Sequence, residues 1–213
     1  MQRICVIQRA INSLRASASA EGKRAPVSAP MENEGATLTG GLAAKQAISE
    51  QIYRYCRGLD RMDLELALSV WHDDGTVDFG AVASPDTGLA TAAIPVRDHF
   101  ARAWPYREQF FAHSHQATNI LIDLHGDTAV SETASISILQ RKLENGDIAQ
   151  DLYWGRWLDR WSFRSGRWAL DHRQAVLDCH MPAQFAPGPL NNPQTSLSRR
   201  DRTDPSYTMS AFA

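Results

Sequence analysis

The sequence predicts an α+β fold, a cone-shaped barrel in which a curved antiparallel sheet wraps around N-terminal helices. Three observations predict it. Apolar residues recur at helical spacings of three and four in the first half of the folded region. The second half carries three long β-type segments, at about 128–143, 148–164 and 167–179. Their separators, Glu144-Asn145-Gly146-Asp147 and Ser165-Gly166, have good hairpin chemistry. The segment 148–164 also gathers Tyr153, Trp154, Trp157, Trp161 and Phe163, and Trp168 opens the next. That aromatic density suits a sheet bent over a pocket. Helices first and sheet later argue against a doubly wound α/β fold. A cone of this kind has one natural cavity, between helices and sheet, suited to a small apolar ligand.

Composition sets the outer limits. The chain has 213 residues, enough for a full core in one domain, and its 43% hydrophobic and 22% charged content is that of an ordinary globular protein. A net charge of -2 gives nucleic acid or anionic lipid no global attraction. No apolar run approaches the length of a membrane span. Cys5, Cys56 and Cys179 are odd in number and far apart, which argues against a disulfide framework and for a reducing, cytoplasmic setting. Residues 1–40 differ from the rest: Ala-, Ser- and Gly-rich, with Arg3, Arg9, Arg15, Lys23 and Arg24 against Glu21 in the first thirty. The stretch fits a transit peptide loosely and also an extension upstream of a second possible start at Met31. It reads as a disordered extension outside the fold. The folded domain is then 41–181 and the C-terminal tail 182–213.

From Leu42 the pattern is helical, with Ile48, Ile52, Tyr55 and Leu59 on one stripe. Gly58 lies near the end of this helix and Asp60 just past it. Asp63 looks like the N-cap of a second helix, whose buried stripe is Leu64, Ala67, Leu68 and Trp71, stopped by Asp73-Asp74-Gly75. Residues 76–80 read as a strand with Val77 and Phe79 on one face. Residues 81–94 read as a loop. Residues 96–104 form a short helix with Val96 and Phe100 inward, broken by Pro105. The long β segments follow, and after His180 the Pro-, Ser- and Asn-rich tail reads as loop or disorder.

Between the third helix and the meander lies His113-Ser114-His115-Gln116-Ala117-Thr118-Asn119, which runs into Ile120-Leu121-Ile122. As a strand, it points His113, His115, Ala117 and Asn119 one way and Ile120, Ile122 and Leu124 the other. An imidazole on a half-buried sheet face is a candidate base. His113 falls at the exposed start of the strand.

This order, with Tyr55-Cys56-Arg57-Gly58-Leu59-Asp60, Trp71-His72-Asp73-Asp74, His115-Gln116-Ala117-Thr118-Asn119, Gly126-Asp127-Thr128-Ala129 and Gly155-Arg156-Trp157-Leu158-Asp159, resembles the SnoaL-like branch of the nuclear-transport-factor-2-like superfamily. The resemblance covers about 42–180. In chemistry it is similar to the lyase group that includes scytalone dehydratase, bile-acid dehydratases and a hexachlorocyclohexane dehydrochlorinase. Those enzymes pair a strand histidine with an aspartate at the end of the first helix. The matching positions are His115 and Asp60, and Tyr55 matches a tyrosine of the bile-acid enzymes. The resemblance implies no metal and no organic cofactor. It implies a lyase, dehydratase in type, that eliminates water or a similar group from a hydrophobic cyclic substrate, steroid- or polyketide-like. An isomerase or cyclase on the same scaffold, or the non-catalytic small subunit of a ring-hydroxylating dioxygenase, are the alternatives, and a homo-oligomer, dimer or trimer, is the expected assembly.

In that reading neutral His115 takes a proton, Asp60 fixes its tautomer, and Tyr55 donates to a carbonyl or leaving group. Each also has a plain structural reading: helix end, core tyrosine, core histidine. His113, His115 and Asp60 together offer a second idea, a divalent-metal site. Arg173 is a candidate for a ligand carboxylate or carbonyl, and equally a solvated strand residue. Trp71, Phe100 and Trp104 are substrate-pocket or core aromatics, which sequence does not separate. Arg156 and Asp159 read as a structural ion pair or a partner-subunit contact.

Overall fold

The computed structural model describes residues 32–80, 92–188 and 197–209. The chain divides into a unit Met1–Thr37 and a unit Leu38–Ala213. The described part of the first is the opening of helix α1 (Glu32–Asp60). Of the expected extension, residues 1–31 lie outside the described residues, as do 81–91 of the expected loop.

From Leu38 onward the order is the rest of α1, α2 (Leu64–Ser69), β1 (Trp71–Asp78), β2 (Ile94–Pro95), α3 (Val96–Arg107), β3 (Ala112–His125), β4 (Thr128–Lys142), β5 (Ile148–Arg164), β6 (Arg167–Phe185) and a 3-10 turn Pro205–Thr208. The six strands form one sheet in the order β2-β1-β6-β5-β4-β3. The fold is α+β, with β3 to β6 an antiparallel meander. The sheet as a whole is mixed, because β1 lies parallel to β6.

The stripe on α1 is the centre of the core: Ile48, Ile52, Tyr55 and Leu59 are each at most 2% exposed. They pack with Trp157, Trp161, Trp168 and Leu170 from the sheet. Gly58 lies in the last turn of α1, which runs through Asp60 rather than ending before it. A Cβ there would lie 2.6 Å from the Ala67 backbone nitrogen, so glycine is what lets α2 cross α1 this closely. Met62, in the left-handed region at φ 53°, turns the chain, and Asp63 caps α2 through Leu66 N–H at 3.1 Å.

Several element expectations need correction. The second helix stops at Ser69, and Trp71 lies on a strand, because Leu170 N–H donates to Val70 O at 2.9 Å and ties this stretch to β6. Asp73-Asp74-Gly75 is absorbed by the irregularity between Trp71 and Thr76. Helix α3 runs through Pro105 to Arg107. Proline removes one N–H, and Arg200 Nη1 takes up the Arg107 and Phe110 carbonyls beyond it at 2.8 and 2.5 Å. In β3 a bulge between Thr118 and Ile120, with Asn119 at φ 26°, shifts the alternation by one residue. Ile120, Ile122 and Leu124 therefore pack against the core, as Ala117 does, instead of facing away.

Strand β6 continues to Phe185, six residues beyond the expected end. The tail segment 197–209 packs back on the end of α1: Tyr207 O–H donates to Asp63 at 2.8 Å and Arg57 to Ser206 at 2.9 Å.

Candidate active site

Asp60 closes α1, where the helix dipole disfavours a carboxylate. Its stabilisation comes from β3. The backbone N–H of His115 donates to both carboxylate oxygens, at 3.0 and 2.9 Å, and His115 Nδ1 lies 2.7 Å from Oδ1. The two side chains are only 7% and 13% exposed. An acceptor on Nδ1 puts the ring proton there, and Nε2 is then the free basic lone pair. Among the described residues no protein group bonds Nε2.

His115 lines a cavity of about 120 Å³ bounded by α3 and the concave faces of β3 to β6. Register explains who meets there. His115 pairs with Ser137, Ser137 with Tyr153, and Tyr153 with His180, so one row crosses four strands. One row along, His113 faces Leu139 and Leu139 faces Asp151. At about 4.8 Å per strand, the backbones under His115 and Tyr153 are roughly 10 Å apart, room for one ring between side chains. Gly155 lines the cavity at an irregularity between Trp154 and Gly155, where a Cβ would lie 2.0 Å from Val176 O. The apolar walls include Phe79, Phe110, Trp157 and Leu177.

A second His–Asp contact sits on the far wall. His180 Nε2 is 2.8 Å from Asp151 Oδ1, and the His180 ring stacks on Tyr153 at 4.3 Å. Burial, then the Asp151 charge, push the Tyr153 phenol up to about 12, so it stays protonated. Sequence reasoning missed this group. Tyr153 was visible only as one of many aromatics, and His180 lay past the expected end of its strand.

His113 is buried, 6% exposed, and not at an exposed strand start. Burial first, then His115, Arg107 and Arg200, hold its pKa well below the usual imidazole value. Ligand atoms of Asp60, His113 and His115 all lie within 4.8 Å of one another, a possible metal constellation by distance alone. Arg200 Nη2 lies 3.4 Å from His113 Nδ1, and the Arg107 cation bears on the same ring. Two guanidiniums beside the donor set oppose a divalent ion.

The other expected site residues fall elsewhere. Tyr55 does not line the cavity; it is 2% exposed, with the Arg173 guanidinium 4.4 Å from its ring centroid and Trp157 and Trp71 against its edges. Arg173 is fully buried and bound through Nε and Nη2 to Asp159, both at 2.8 Å, so it is a wall element rather than a ligand contact. That corrects the Arg156–Asp159 pair as well: Arg156 meets Asp178 and Glu132. Trp71 and Phe100 are core, at 3% and 1% exposed. Trp104 packs on Phe100 and lines a separate cleft with Arg200 and Tyr207. Arg107, which does line the cavity, went unnoticed because proline seemed to end its helix two residues earlier.

A family model for the SnoaL-like domain matches residues 41–174. A putative scytalone dehydratase from Novosphingobium aromaticivorans is similar in structure, with 19% identity over 71% of this chain and 96% of its own, and a TM-score of 0.56. A Kribbella flavida protein superposes with a TM-score of 0.57 at 18% identity, covering 66% of this chain and 95% of its own. The hexachlorocyclohexane dehydrochlorinase type 3 of Novosphingobium barchaimii does so with 0.54 at 16% identity, covering 69% and 97%. No curated protein matches by sequence. Among the described residues no helix is long and apolar enough to cross a membrane. With the family model spanning more than half its length, the chain belongs to the SnoaL-like family.

Proposed function

We propose that this protein is a cofactor-independent lyase, dehydratase in type, acting on a small hydrophobic cyclic substrate. The observation that carries the reading is the Asp60–His115 contact at 2.7 Å, with His115 on the wall of a largely apolar cavity. Two proteins of similar fold, a putative scytalone dehydratase and a hexachlorocyclohexane dehydrochlorinase, are named for elimination reactions, which fits the same chemistry.

The step balances as follows. His115 Nε2 takes the proton from the carbon α to an activating group, and the C–H pair becomes the new double bond. The bond from the β carbon to its hydroxyl breaks, and the hydroxyl leaves as water with the Tyr153 proton. The imidazolium, stabilised by Asp60, returns its proton to Tyr153 through solvent. A phenol near 12 still protonates hydroxide, whose conjugate acid is far weaker at about 15.7. In this reading Tyr55 supports the wall and Tyr153 is the donor. The cavity also narrows the substrate. An engineered cavity of ~150 Å³ holds benzene, so a cavity of about 120 Å³ is on the scale of one ring.

Replacing His115 by Ala should lower turnover of a β-hydroxy cyclic substrate by about 10²–10⁴ while the circular dichroism stays unchanged. Loss of water in the product marks a lyase, and unchanged mass would mark an isomerase instead. Full activity of the variant would end the proposal.

A further inference from the structure

The cavity wall holds one guanidinium with no ion-pair partner of its own among the described residues. Of its charged lining residues besides the histidines, Asp151 is held by His180, and Arg156 by Asp178 and Glu132. Arg107 forms no ion pair among the described residues, although it is only 8% exposed. Its Nε is buried with no hydrogen-bond partner. Asp60, the nearby carboxylate, is already engaged by the His115 ring and backbone.

The same molecule shows what a structural buried arginine looks like. Arg173 is sealed between Tyr55 and Trp157 and, although its Nη1 is also unpartnered, its charge is met by two bonds of 2.8 Å to Asp159. A buried ion without a counter-ion is costly. The cost is offset when a ligand brings the anion. Burial also pulls the Arg107 pKa down, which states the same unmet need.

We infer that Arg107 is an anion-binding residue and that the cavity's ligand is a monocyclic carboxylate, its carboxylate on the guanidinium and its ring against Phe110 and Trp157. The inference rests on the reading that the His115 cavity is the substrate site, and it names the substrate class. It also answers a chemical problem. A proton α to a carboxylate is hard to remove, because a second negative charge develops on the carboxylate oxygens. A guanidinium on those oxygens neutralises the first charge and stabilises the second.

The test is binding of benzoate against benzamide, its neutral counterpart of similar shape, by calorimetry on the full chain. Wild type should bind benzoate at least tenfold more tightly, and Arg107→Gln should reduce that ratio to below twofold. Arg107→Lys, which keeps the charge but not the fork, should retain a several-fold preference. His115→Ala should lose turnover yet keep the benzoate-over-benzamide preference, so failure of this inference is separable from failure of the elimination chemistry. Equal binding of the two probes by wild type, or a benzoate preference that survives in Arg107→Gln, would overturn it. The wild-type comparison decides the matter even if Arg107→Gln does not fold.

Discussion

Tyr55 and Tyr153 carry the same hydroxyl in opposite settings. Tyr55 is sealed among Trp71, Trp157 and the Arg173 guanidinium, away from the cavity lining. Tyr153 lines the cavity two strands across from His115 and is stacked on His180. The difference gives a paired expectation. Tyr153→Phe should lower kcat by about 10²–10⁴, the worth of a general acid, and leave the urea midpoint little changed. Tyr55→Phe should act chiefly on stability, by about 1 kcal/mol for a lost buried hydroxyl interaction. Kinetics and urea titration of both variants check it. A rate loss confined to Tyr55→Phe would mean the proton donor had been misplaced. The two acids of the far wall also explain why Asp151 is tolerated beside a ligand pocket: His180 holds it at 2.8 Å.

At the scale of elements, the cavity exists because β5 bends at Gly155. The irregularity between Trp154 and Gly155 brings the Val176 carbonyl so near that any side chain there collides with backbone. Gly155→Ala should therefore cost about 3 kcal/mol of stability, at the upper end for overpacking, and lose the benzoate site with it; thermal unfolding and calorimetry measure both. Much of this architecture was legible in the sequence. The helical stripe Ile48, Ile52, Tyr55, Leu59 and the two hairpin turns declare themselves by period and turn chemistry alone. The Asp60–His115 contact could be anticipated because both residues sit at positions matched by a family resemblance. What escaped did so for local reasons. Asn119 bulges and reverses the face of Ile120 to Leu124, which no alternation rule foresees. Pro105 sits inside the last turn of α3 and hid Arg107 behind an apparent helix end. The row His115, Ser137, Tyr153, His180 exists only once strand register is fixed.

For the whole molecule, buried histidines set an acid limit on the fold. His99 is 1% exposed, stacked on Phe79, with neither ring nitrogen bonded. Burial, then Arg107 and Arg102, bring its pKa down to about 3. His113 is faced by His115, Arg107 and Arg200, with Asp60 near enough to join it in one donor cluster, and its pKa is likewise depressed by burial first. Both rings thus have folded values below the ordinary imidazole value of about 6.5. The unfolded chain takes up these protons first, so the stability they contribute is present above about pH 6.5 and is lost as pH falls. Each can contribute up to about 1.4 kcal/mol per pH unit, and for His99 the loss continues toward its folded value. Asp204, whose carboxyl is held below the usual range against burial by Ser206, the Arg199 N–H and Arg61, adds a loss of the same sign but only below about pH 4. The urea midpoint should accordingly drop between pH 7 and pH 5, before carboxylates titrate. His99→Phe, which keeps the stack on Phe79 and removes one proton site, should reduce that slope by roughly half. A midpoint flat from pH 7 to pH 5 would mean that both rings accept protons in the folded state as readily as in the unfolded chain.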